Sequence, residues 1–484
     1  METSMTRSNS GSLLALVFSV ALWSGCAVGP NYQRPTVNVP VTYRGAFAGE
    51  PTTSGQTATS PTPQQTAASL GDEKWWDVFQ DEELRSLIRT ALKNNYDVRI
   101  AATRVLQAQA QLGVTRANQY PSLAVGGAVA DQRSPRIGPI PSYEVSLGQV
   151  TASATWDLDF WGRYRRATEA ARATLLANEW AKKQVMATLV ANVASAYFQL
   201  RQLDLELETS RRTLASRSES LKLTRTLEQH GINSLLDVRQ SEQLVYTAAE
   251  EVPDFERRIA QQENTISILL GKDPGDIPRG LQLMEQPHAP EVPAGLPSSL
   301  LERRPDIREA EQNLLAANAQ IGVARSAYFP QISLTGSAGF ETPALTSLFT
   351  SPAGLWNFGA SLTQPIFEGG RIKSNVRFTE AQREQFVLSY QQTIQGAFRD
   401  VSNALVAYRK NREFRIQQEQ LLKSAQDAAH LSEVRFKAGT TDYLEVLTNE
   451  TNSFAAELGL AQSQGNELIA LVQLYQALGG GWQQ

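Results

Sequence analysis

The sequence has one cysteine and three histidines among its 484 residues, and these shortages exclude several kinds of site. The single thiol, Cys26, cannot form a disulfide within the chain. The histidines, His230, His288 and His430, are far apart in sequence, which argues against a metal site built from histidine. The net charge of −4 comes without a basic cluster, so we expect no nucleic-acid partner.

Catalytic groupings are missing as well. No serine has a histidine and an acid at a recognised spacing, and no glycine-rich phosphate loop occurs. The one glycine pair in a suggestive position, Gly369-Gly370, is more simply a junction between a strand and a helix. We therefore predict that the chain is not an enzyme and that it has no cofactor.

The amino terminus predicts export. An apolar run from Leu13 to Trp23 follows Arg7 and is too short to span a bilayer, so residues 1–25 are predicted to be a cleaved signal peptide. Ser24 and Gly25 precede Cys26, an arrangement that resembles the acylation site of bacterial lipoproteins. Trp23 departs from that pattern, which usually has a bulky aliphatic residue there.

We predict a covalent lipid on Cys26, and the alternative is an incidental thiol in the signal peptide. In the same class of lipoproteins, Ala27 at the next position favours sorting to the outer membrane. Residues 26–70 are rich in Pro, Thr, Ser and Gln, which predicts an extended tether.

The middle of the chain is duplicated. Apolar residues recur every seven positions in two long stretches, a spacing typical of supercoiled helices. Gly231 and Gly439 match without a gap, since 439 − 231 is 208. Each repeat is predicted to contain a long helix, a glycine turn and a returning helix. These are residues 163–229 with 233–270, and residues 370–436 with 441–478.

At 1.5 Å per residue, the long helices would each span about 100 Å. One residue conflicts with this interpretation, because Pro253 falls inside the first returning helix. There it removes a hydrogen bond and is expected to kink or split the helix.

A two-residue alternation precedes each long helix and predicts a β-hairpin, at residues 122–160 and 331–367. Strands of about ten residues have the length that a tilted strand needs to cross a bilayer. Four aromatic residues near the strand ends are candidates for the membrane interface. They are Trp156, Trp161, Phe340 and Trp356. The alternative is a soluble hairpin with one face on a core.

Four strands cannot close a barrel, and open edges in lipid would leave backbone groups unsatisfied. Either the strands are outside lipid or several chains share one barrel. Three copies would supply twelve strands, an even number within the known range.

The remaining divisions follow from composition. The first repeat covers residues 71–271 and the second covers 298–478, which begins with a predicted helix at 305–328. Residues 272–297, dense in Pro and Gly, are predicted to be an irregular connector. Residues 479–484 form a tail.

A family resemblance adds to this interpretation. The segments Arg303-Arg304-Pro305-Asp306-Ile307, Ile321-Gly322, Tyr32 with Arg34-Pro35, and Leu478-Gly479-Gly480-Gly481-Trp482 resemble those of TolC-like outer-membrane factors. The resemblance is strongest to their lipoprotein branch, typified by OprM. It implies a mixed α and transmembrane β fold, in which a trimeric twelve-stranded outer-membrane barrel continues into a twelve-helix periplasmic α-barrel.

The resemblance also implies a function. Such proteins are exit ducts of tripartite efflux systems in the bacterial outer membrane. The partners would be two further copies of the chain, a periplasmic adaptor, outer-membrane lipid and an inner-membrane pump of the resistance-nodulation-division type. The alternative is a lipid-anchored periplasmic coiled-coil scaffold or adaptor without a transmembrane barrel.

The helical turns are the predicted adaptor-docking tips, marked by Gly231, Asn233, Gly439 and Thr441. Asn233 or Ser234 is expected to cap the first returning helix, and Thr441 or Asp442 the second.

The predicted periplasmic gate consists of Asp237, Leu444, Glu445 and Thr448. In a trimer, Asp237 and Glu445 would form rings of like charge near a constriction. Thr448 stands where similar proteins have an acid, which favours packing of Leu444 at the axis over ion pairs. The alternative is that both acids only stabilise the starts of their helices.

Overall fold

The computed structural model describes residues 27–37, 39–40, 43, 69–287, 297–343 and 345–483. The predicted signal peptide, Cys26 and most of the predicted tether lie outside these residues. The chain divides into two compact units. The described residues of the sheet unit fall within Met1–Thr36, Arg104–Asn178 and Glu309–Tyr390, and those of the hairpin unit within Val37–Thr103, Glu179–Arg308 and Gln391–Gln484.

Nine helices and four strands occur in the described residues. The helices are α1 Trp75–Val78, α2 Glu82–Asn94, α3 Tyr96–Ala117, α4 Arg163–Gln229, α5 Leu235–Leu269, α6 Pro297–Arg303, α7 Pro305–Ser326, α8 Arg371–Lys437 and α9 Tyr443–Ala477. The strands are β1 Ser122–Ser134, β2 Tyr143–Leu158, β3 Gln331–Thr342 and β4 Gly354–Thr363.

The four strands form one antiparallel sheet in the order β1-β2-β3-β4. The two hairpins join through β2 and β3, where Ala152 lies opposite Ala338. The sequence pattern predicts the loop of the first hairpin at Asp131 to Ser142, but the ladder between β1 and β2 extends to the pair Ser134 and Tyr143, so β1 continues four residues into that segment. Backbone pairing continues there without regular alternation, because it needs no apolar side chain.

The sheet has one apolar and one polar face. Opposite residues share a face, and one apolar row across the four strands is Val125, Ala152, Ala338 and Trp356. The neighbouring row on the other face is Ala124, Ser153, Ser337 and Asn357. Large side chains of the apolar face are exposed, with Trp356 at 81% and Phe358 at 74%. The soluble-hairpin alternative requires a core on this face, and the described residues provide none for these side chains.

A buried carboxylate organises the core of the hairpin unit. Asp81, which is 1% exposed, caps α2 by accepting from the backbone of Glu83 and Leu84. Its Oδ2 also accepts from the Tyr197 hydroxyl at 2.9 Å and from the backbone N–H of Leu281 at 2.9 Å. The described part of the predicted connector is therefore fixed to the start of α2 and the middle of α4.

The Arg-Arg-Pro-Asp-Ile segment has a structural explanation in the same unit. The buried Arg304 donates to Asp306 at 2.6 Å, to Asp400 at 3.4 Å and to the Ala477 carbonyl at 3.3 Å. Its guanidinium thus joins the start of α7 to α8 and to the end of α9.

Of the two expected effects of Pro253, the split is wrong, since α5 is helical throughout from Leu235 to Leu269. Ala248 and Phe255 lie on either side of the proline and are both buried. Tertiary packing on both sides offsets the lost backbone hydrogen bond, which is how a helix tolerates an internal proline. Within the described residues, none of the helices combines the length and apolar character needed to span a membrane.

Candidate functional site

The two helical tips have the same backbone. After α4, the Gly231 N–H donates to the Glu228 carbonyl and the Ile232 N–H to the Leu227 carbonyl. After α8, Gly439 and Thr440 donate in the same way to Phe436 and Arg435. This is the Schellman arrangement, which needs a left-handed residue after the helix. Gly231 has φ of 72° and Gly439 has φ of 70°.

The structure decides between the expected caps. Ser234 caps α5 by accepting from the Asp237 N–H at 3.3 Å, while the Asp237 carboxylate accepts from the Ser234 N–H at 2.8 Å. Asp442 caps α9 by accepting from the Glu445 N–H at 3.2 Å. Asn233 and Thr441 are not the caps, because each lies one residue before the residue that caps its helix.

Both predicted gate acids have partners inside their own hairpins. Asp237 belongs to the capping box of α5. Glu445 pairs with Arg435 at 2.6 Å and accepts a hydrogen bond from the Thr441 hydroxyl. These contacts match the alternative in which the acids stabilise helix starts, and they leave the gate role as a prediction.

The other two predicted gate residues are on the outside of the chain. Leu444 is 56% exposed. The exposed Thr448 donates its hydroxyl to the Leu444 carbonyl at 2.9 Å, within α9. Neither side chain is used to hold its own hairpin together.

A buried contact that the sequence analysis missed joins the two hairpins. The Ser241 hydroxyl of α5 donates to the Tyr443 hydroxyl of α9 at 2.7 Å, and both side chains are buried. Tyr443 packs with Val446 and Leu447, and its ring lies 5.2 Å from that of Phe436. The sequence offered little signal for this contact, because Ser241 lies six residues beyond Leu235, the residue that matches Tyr443 in the first repeat.

A buried arginine forms a second link. Arg217 of α4 donates to the Leu244 carbonyl of α5 at 3.0 Å and lies over the ring of Phe454 of α9 at 5.0 Å. Burial lowers the pKa of the Arg217 guanidinium. Burial also raises the pKa of Glu450, and the charge of Arg217 opposes that rise.

The predicted interface aromatics occupy different surroundings in the sheet unit. Trp356 is exposed, and the indole N–H of Trp156 donates to the Gln119 carbonyl at 3.0 Å. Phe340 contacts Phe349 with ring centroids 5.6 Å apart. Trp161 donates to the Pro330 carbonyl at 2.8 Å and stacks on Phe329 at 4.7 Å.

The described amino-terminal segment begins beside Trp161. The Val28 N–H donates to the Trp161 carbonyl at 3.0 Å, and the Asn31 side chain accepts from Arg166 at 2.9 Å. Gly29 crosses Gly322 of α7 so closely that a Cβ on Gly29 would lie 2.5 Å from the Gly322 Cα. Ala27, the residue that follows Cys26, also lies at this junction of strand and helix, since a Cβ on Gly162 would be 2.8 Å from the Cα of Ala27.

The same segment continues along α7. The Asn318 side chain donates to the Pro30 carbonyl at 3.0 Å, and Arg34 pairs with Glu311 at 3.0 Å. Glu311, Asn318 and Gly322 are spaced to lie on one face of the helix. The segment around Tyr32 and Arg34, which carries part of the family resemblance, thus lies along α7.

No group of three or more potential metal-ligating side chains occurs within the described ranges. The family model described as "Outer membrane efflux protein" matches residues 87–272 and 296–480. The chain belongs to this family. It is a family of efflux channels and not of enzymes.

Relatives of known name agree with the assignment. The chain is 37% identical over 480 residues to the probable efflux pump outer membrane protein TtgC of Pseudomonas putida. The aligned residues are 97% of this chain and 96% of that protein. It is 34% identical over 471 residues to the cation efflux system protein CusC of Escherichia coli, covering 97% and 99%.

The fold agrees with solved structures of outer membrane channels. The Neisseria gonorrhoeae MtrE outer membrane channel matches with a TM-score of 0.84 at 32% identity, over 94% of this chain and 99% of that chain. A membrane protein from Pseudomonas aeruginosa matches with a TM-score of 0.85 at 33% identity, over 94% and 100%. The predicted fold class, helical with four membrane strands per chain, is confirmed. The channel interpretation is supported over the scaffold alternative.

Proposed function

We propose that this chain is the outer-membrane exit duct of a tripartite efflux system, which conducts drugs or other solutes from an inner-membrane pump across the periplasm and outer membrane. The observation that carries the proposal is the four-stranded sheet, with its exposed apolar face and its β1 and β4 edges unpaired within the described residues. Three copies would pair β1 of one chain with β4 of the next. The resulting twelve strands would satisfy every edge in lipid.

The relatives do not identify the transported compound, because their names refer to toluene, antibiotic and cation efflux. The partners are inferred from the family: a periplasmic adaptor docking at the tips around Gly231, Asn233, Gly439 and Thr441, and a pump of the resistance-nodulation-division type.

The test is purification from outer membranes in mild detergent, followed by recording in planar bilayers. We expect a heat-sensitive homotrimer that forms a conducting pore. A chain lacking Cys26 that purified without detergent as a monomer would instead support the scaffold alternative.

We propose that the predicted interface aromatics mark the two edges of the membrane zone. Trp161, with its stack on Phe329, and Trp156 lie at one end of the sheet, and Phe340 and Trp356 lie toward the other. Their amphipathic rings suit the headgroup region.

We propose that Cys26 carries a lipid at the membrane interface. The hydrogen bond from Val28 to Trp161 supports this, because it holds the second residue after Cys26 at the junction where the strands end. Cys26→Ala behind a conventional cleaved signal should still assemble, since the sheet offers far more apolar area than acyl chains add. Mass spectrometry of the mature amino terminus would detect the modification directly.

The gate is proposed to involve Asp237, Leu444, Glu445 and Thr448, with Leu444 packing near the axis of the trimer. Opening would then require Glu445 to leave Arg435, since that ion pair joins the last turn of α8 to the first turn of α9. Glu445→Ala should raise conductance or alter ion selectivity. An unchanged pore would remove Glu445 from the mechanism.

A further inference from the structure

The loops of the two hairpins in the sheet differ in charge. The first loop and the strand ends beside it contain four charged residues, which are Asp131, Arg133, Arg136 and Glu144. Residues 342–367, which include the second loop, contain none. We call residues 345–353 the apolar loop. An uncharged segment can leave water without the cost of desolvating an ion.

The apolar loop folds back onto the sheet. A Cβ added to Gly148 of β2 would lie 2.6 Å from the Cδ2 of Leu345, so the Leu345 side chain lies where the strand has no side chain of its own. Gly148 is buried there. The ring of Phe349 lies 5.6 Å from the ring of Phe340 of β3. The loop thus packs against the two central strands of the sheet.

The strand register shows which face the loop covers. Gly148 is two residues from Val150 along β2, and side chains two residues apart point to the same face. Val150 lies opposite Phe340, so both belong to the apolar face. The loop therefore lies on the outside of the proposed barrel, and the polar face that would line its lumen is on the other side of the sheet.

The loop is at the end of the sheet away from the helices. α7 leads into the Gln331 end of β3, and the Leu158 end of β2 leads into α4. The pair Gly148 and Thr342 closes the ladder between these strands at the opposite end. In the channel proposed above, that end faces the exterior of the cell.

The loop satisfies several of its own polar groups. The backbone N–H groups of Leu348, Thr350 and Ala353 each donate to the carbonyl three residues earlier, at 3.3, 3.1 and 3.0 Å. The Thr350 hydroxyl donates to the Ser347 carbonyl at 2.7 Å, and the hydroxyls of Thr342 and Ser347 are 3.0 Å apart. Internal hydrogen bonds of this kind lower the cost of placing backbone in an apolar environment.

Two large side chains of the loop are exposed in the single chain. Leu345 is 60% exposed and Phe349 is 74% exposed, whereas Leu348 between them is buried. The exposed pair continues the apolar surface formed by Trp356 and Phe358 on the sheet. Exposed apolar area of this extent marks a surface that binds an apolar partner.

We propose that the apolar loop inserts into the outer leaflet of the membrane, with Leu345 and Phe349 among the lipid acyl chains. The inference rests on the proposed function and adds a lipid contact beyond the wall of the barrel. Continuity with the apolar face and the lack of charge favour acyl chains as the occupant. A neighbouring copy fits less well, because copies would pair at β1 and β4 whereas the loop covers β2 and β3.

The test places a fluorescent label in the loop. Phe349→Cys in the full-length chain is labelled with bimane, and its trimers are reconstituted in phosphatidylcholine vesicles with or without bromine on the acyl chains. Side chains at the boundary of headgroups and acyl chains lie within reach of the bromine, so the fluorescence should fall by about half. Iodide in the water should quench it little. The unsubstituted chain, treated in the same way, gives any background from Cys26.

Two further labels separate the possible outcomes. Ile137→Cys, at a position 69% exposed in the charged loop, should be quenched by iodide. Trp356→Cys, on the apolar face of the sheet, should be quenched by bromine. If bromine quenches the label at Trp356 and not the label at Phe349, the loop lies in water or under another chain, and this inference fails while the channel proposal stands. If bromine quenches neither, both proposals fail.

A pair of valine variants tests the contact that holds the loop. Gly148→Val adds a side chain where Leu345 lies, so it should release the loop and reduce the quenching of the Phe349 label by bromine. Gly127→Val is the matched control, because Gly127 lies opposite Val150 on the same face and a Cβ there would meet its nearest atom at 3.7 Å. Equal quenching in the two variants would overturn the proposed role of Gly148 in holding the loop.

Discussion

The two halves of the chain have the same order of elements and different neighbours. In the sheet, each half contributes two strands to one apolar face. In the helices, the buried α4 face Arg166 to Ala177 has an exposed counterpart on α8. Similarly, Phe454 of α9 is buried, whereas its counterpart in α5, Tyr246, is 67% exposed. Duplication thus preserved backbone geometry, and the surroundings of each copy decided which side chains are covered within one chain.

The largest effect is expected in the sheet, where both halves contribute to the apolar face. Val150 and Phe358 are matched at the 208 offset and lie on that face. Phe358 lies between the two aromatic rows, so arginine there should cost about 2–4 kcal/mol if the face meets lipid. Val150 lies opposite Phe340, near one edge of the membrane zone, so arginine there should cost about 0–1 kcal/mol. The measurement is the yield of heat-sensitive trimer in outer membranes. Asn357→Arg, on the polar face, should assemble normally, and equal yields of all three variants would contradict a lipid-facing surface.

The tips should also respond equally to a backbone change. Gly231→Ala and Gly439→Ala place a side chain at positive φ, which should cost about 1–2 kcal/mol each, and no atom lies near enough to add a clash. Thermal unfolding in detergent provides the measurement. Gly396→Ala, inside α8, is the control and should stabilise by about 0.5–1 kcal/mol. If the two variants lost different amounts of stability, the positive φ that both tips share would not be the cause of the loss.

Substitutions in side chains that join the hairpins should affect the two halves of the chain differently. Tyr443→Phe removes the hydrogen bond with Ser241 and should cost about 0.5–1.5 kcal/mol. Its counterpart, Leu235, is exposed, so Leu235→Ala should change little. Hydrogen exchange of the tip amides measures the two effects. Similar protection in both variants would mean that the buried hydroxyl pair does not join the hairpins.

The smallest effect concerns a buried acid. Burial raises the pKa of Glu206. The hydrogen bond from Gln202 and the charge of Arg258 partly oppose this rise. A carboxyl group whose pKa is higher in the folded than in the unfolded state stabilises the fold when it is protonated. This contribution is complete below the unfolded-state pKa and is lost as the pH rises through the folded-state pKa. Glu206→Gln should therefore unfold at a higher temperature than wild type at neutral pH, and the difference should shrink toward pH 4. Glu219→Gln, exposed on the same helix, is the control, and a difference independent of pH would argue against ionisation as the cause.

Local sequence patterns predicted much of this molecule. Heptad spacing gave two long helices, alternation gave four strands, and the 208 offset matched two tips that adopt one backbone. These predictions rest on interactions between near neighbours, such as hydrogen bonds four residues apart and glycine at a left-handed position. The family resemblance could also be recognised from the sequence, because Arg303 to Ile307 is a short continuous motif.

Only the tertiary structure decided how these pieces meet. The sequence left Asn233 and Ser234 as alternative caps, and the structure shows Ser234 in that role, exchanging hydrogen bonds with Asp237. It gave no sign that the segment after Cys26 would lie along α7, or that Tyr443 would meet Ser241 some two hundred positions away. Such contacts depend on how distant surfaces pack, and a single sequence records the residues involved without recording which of them become neighbours.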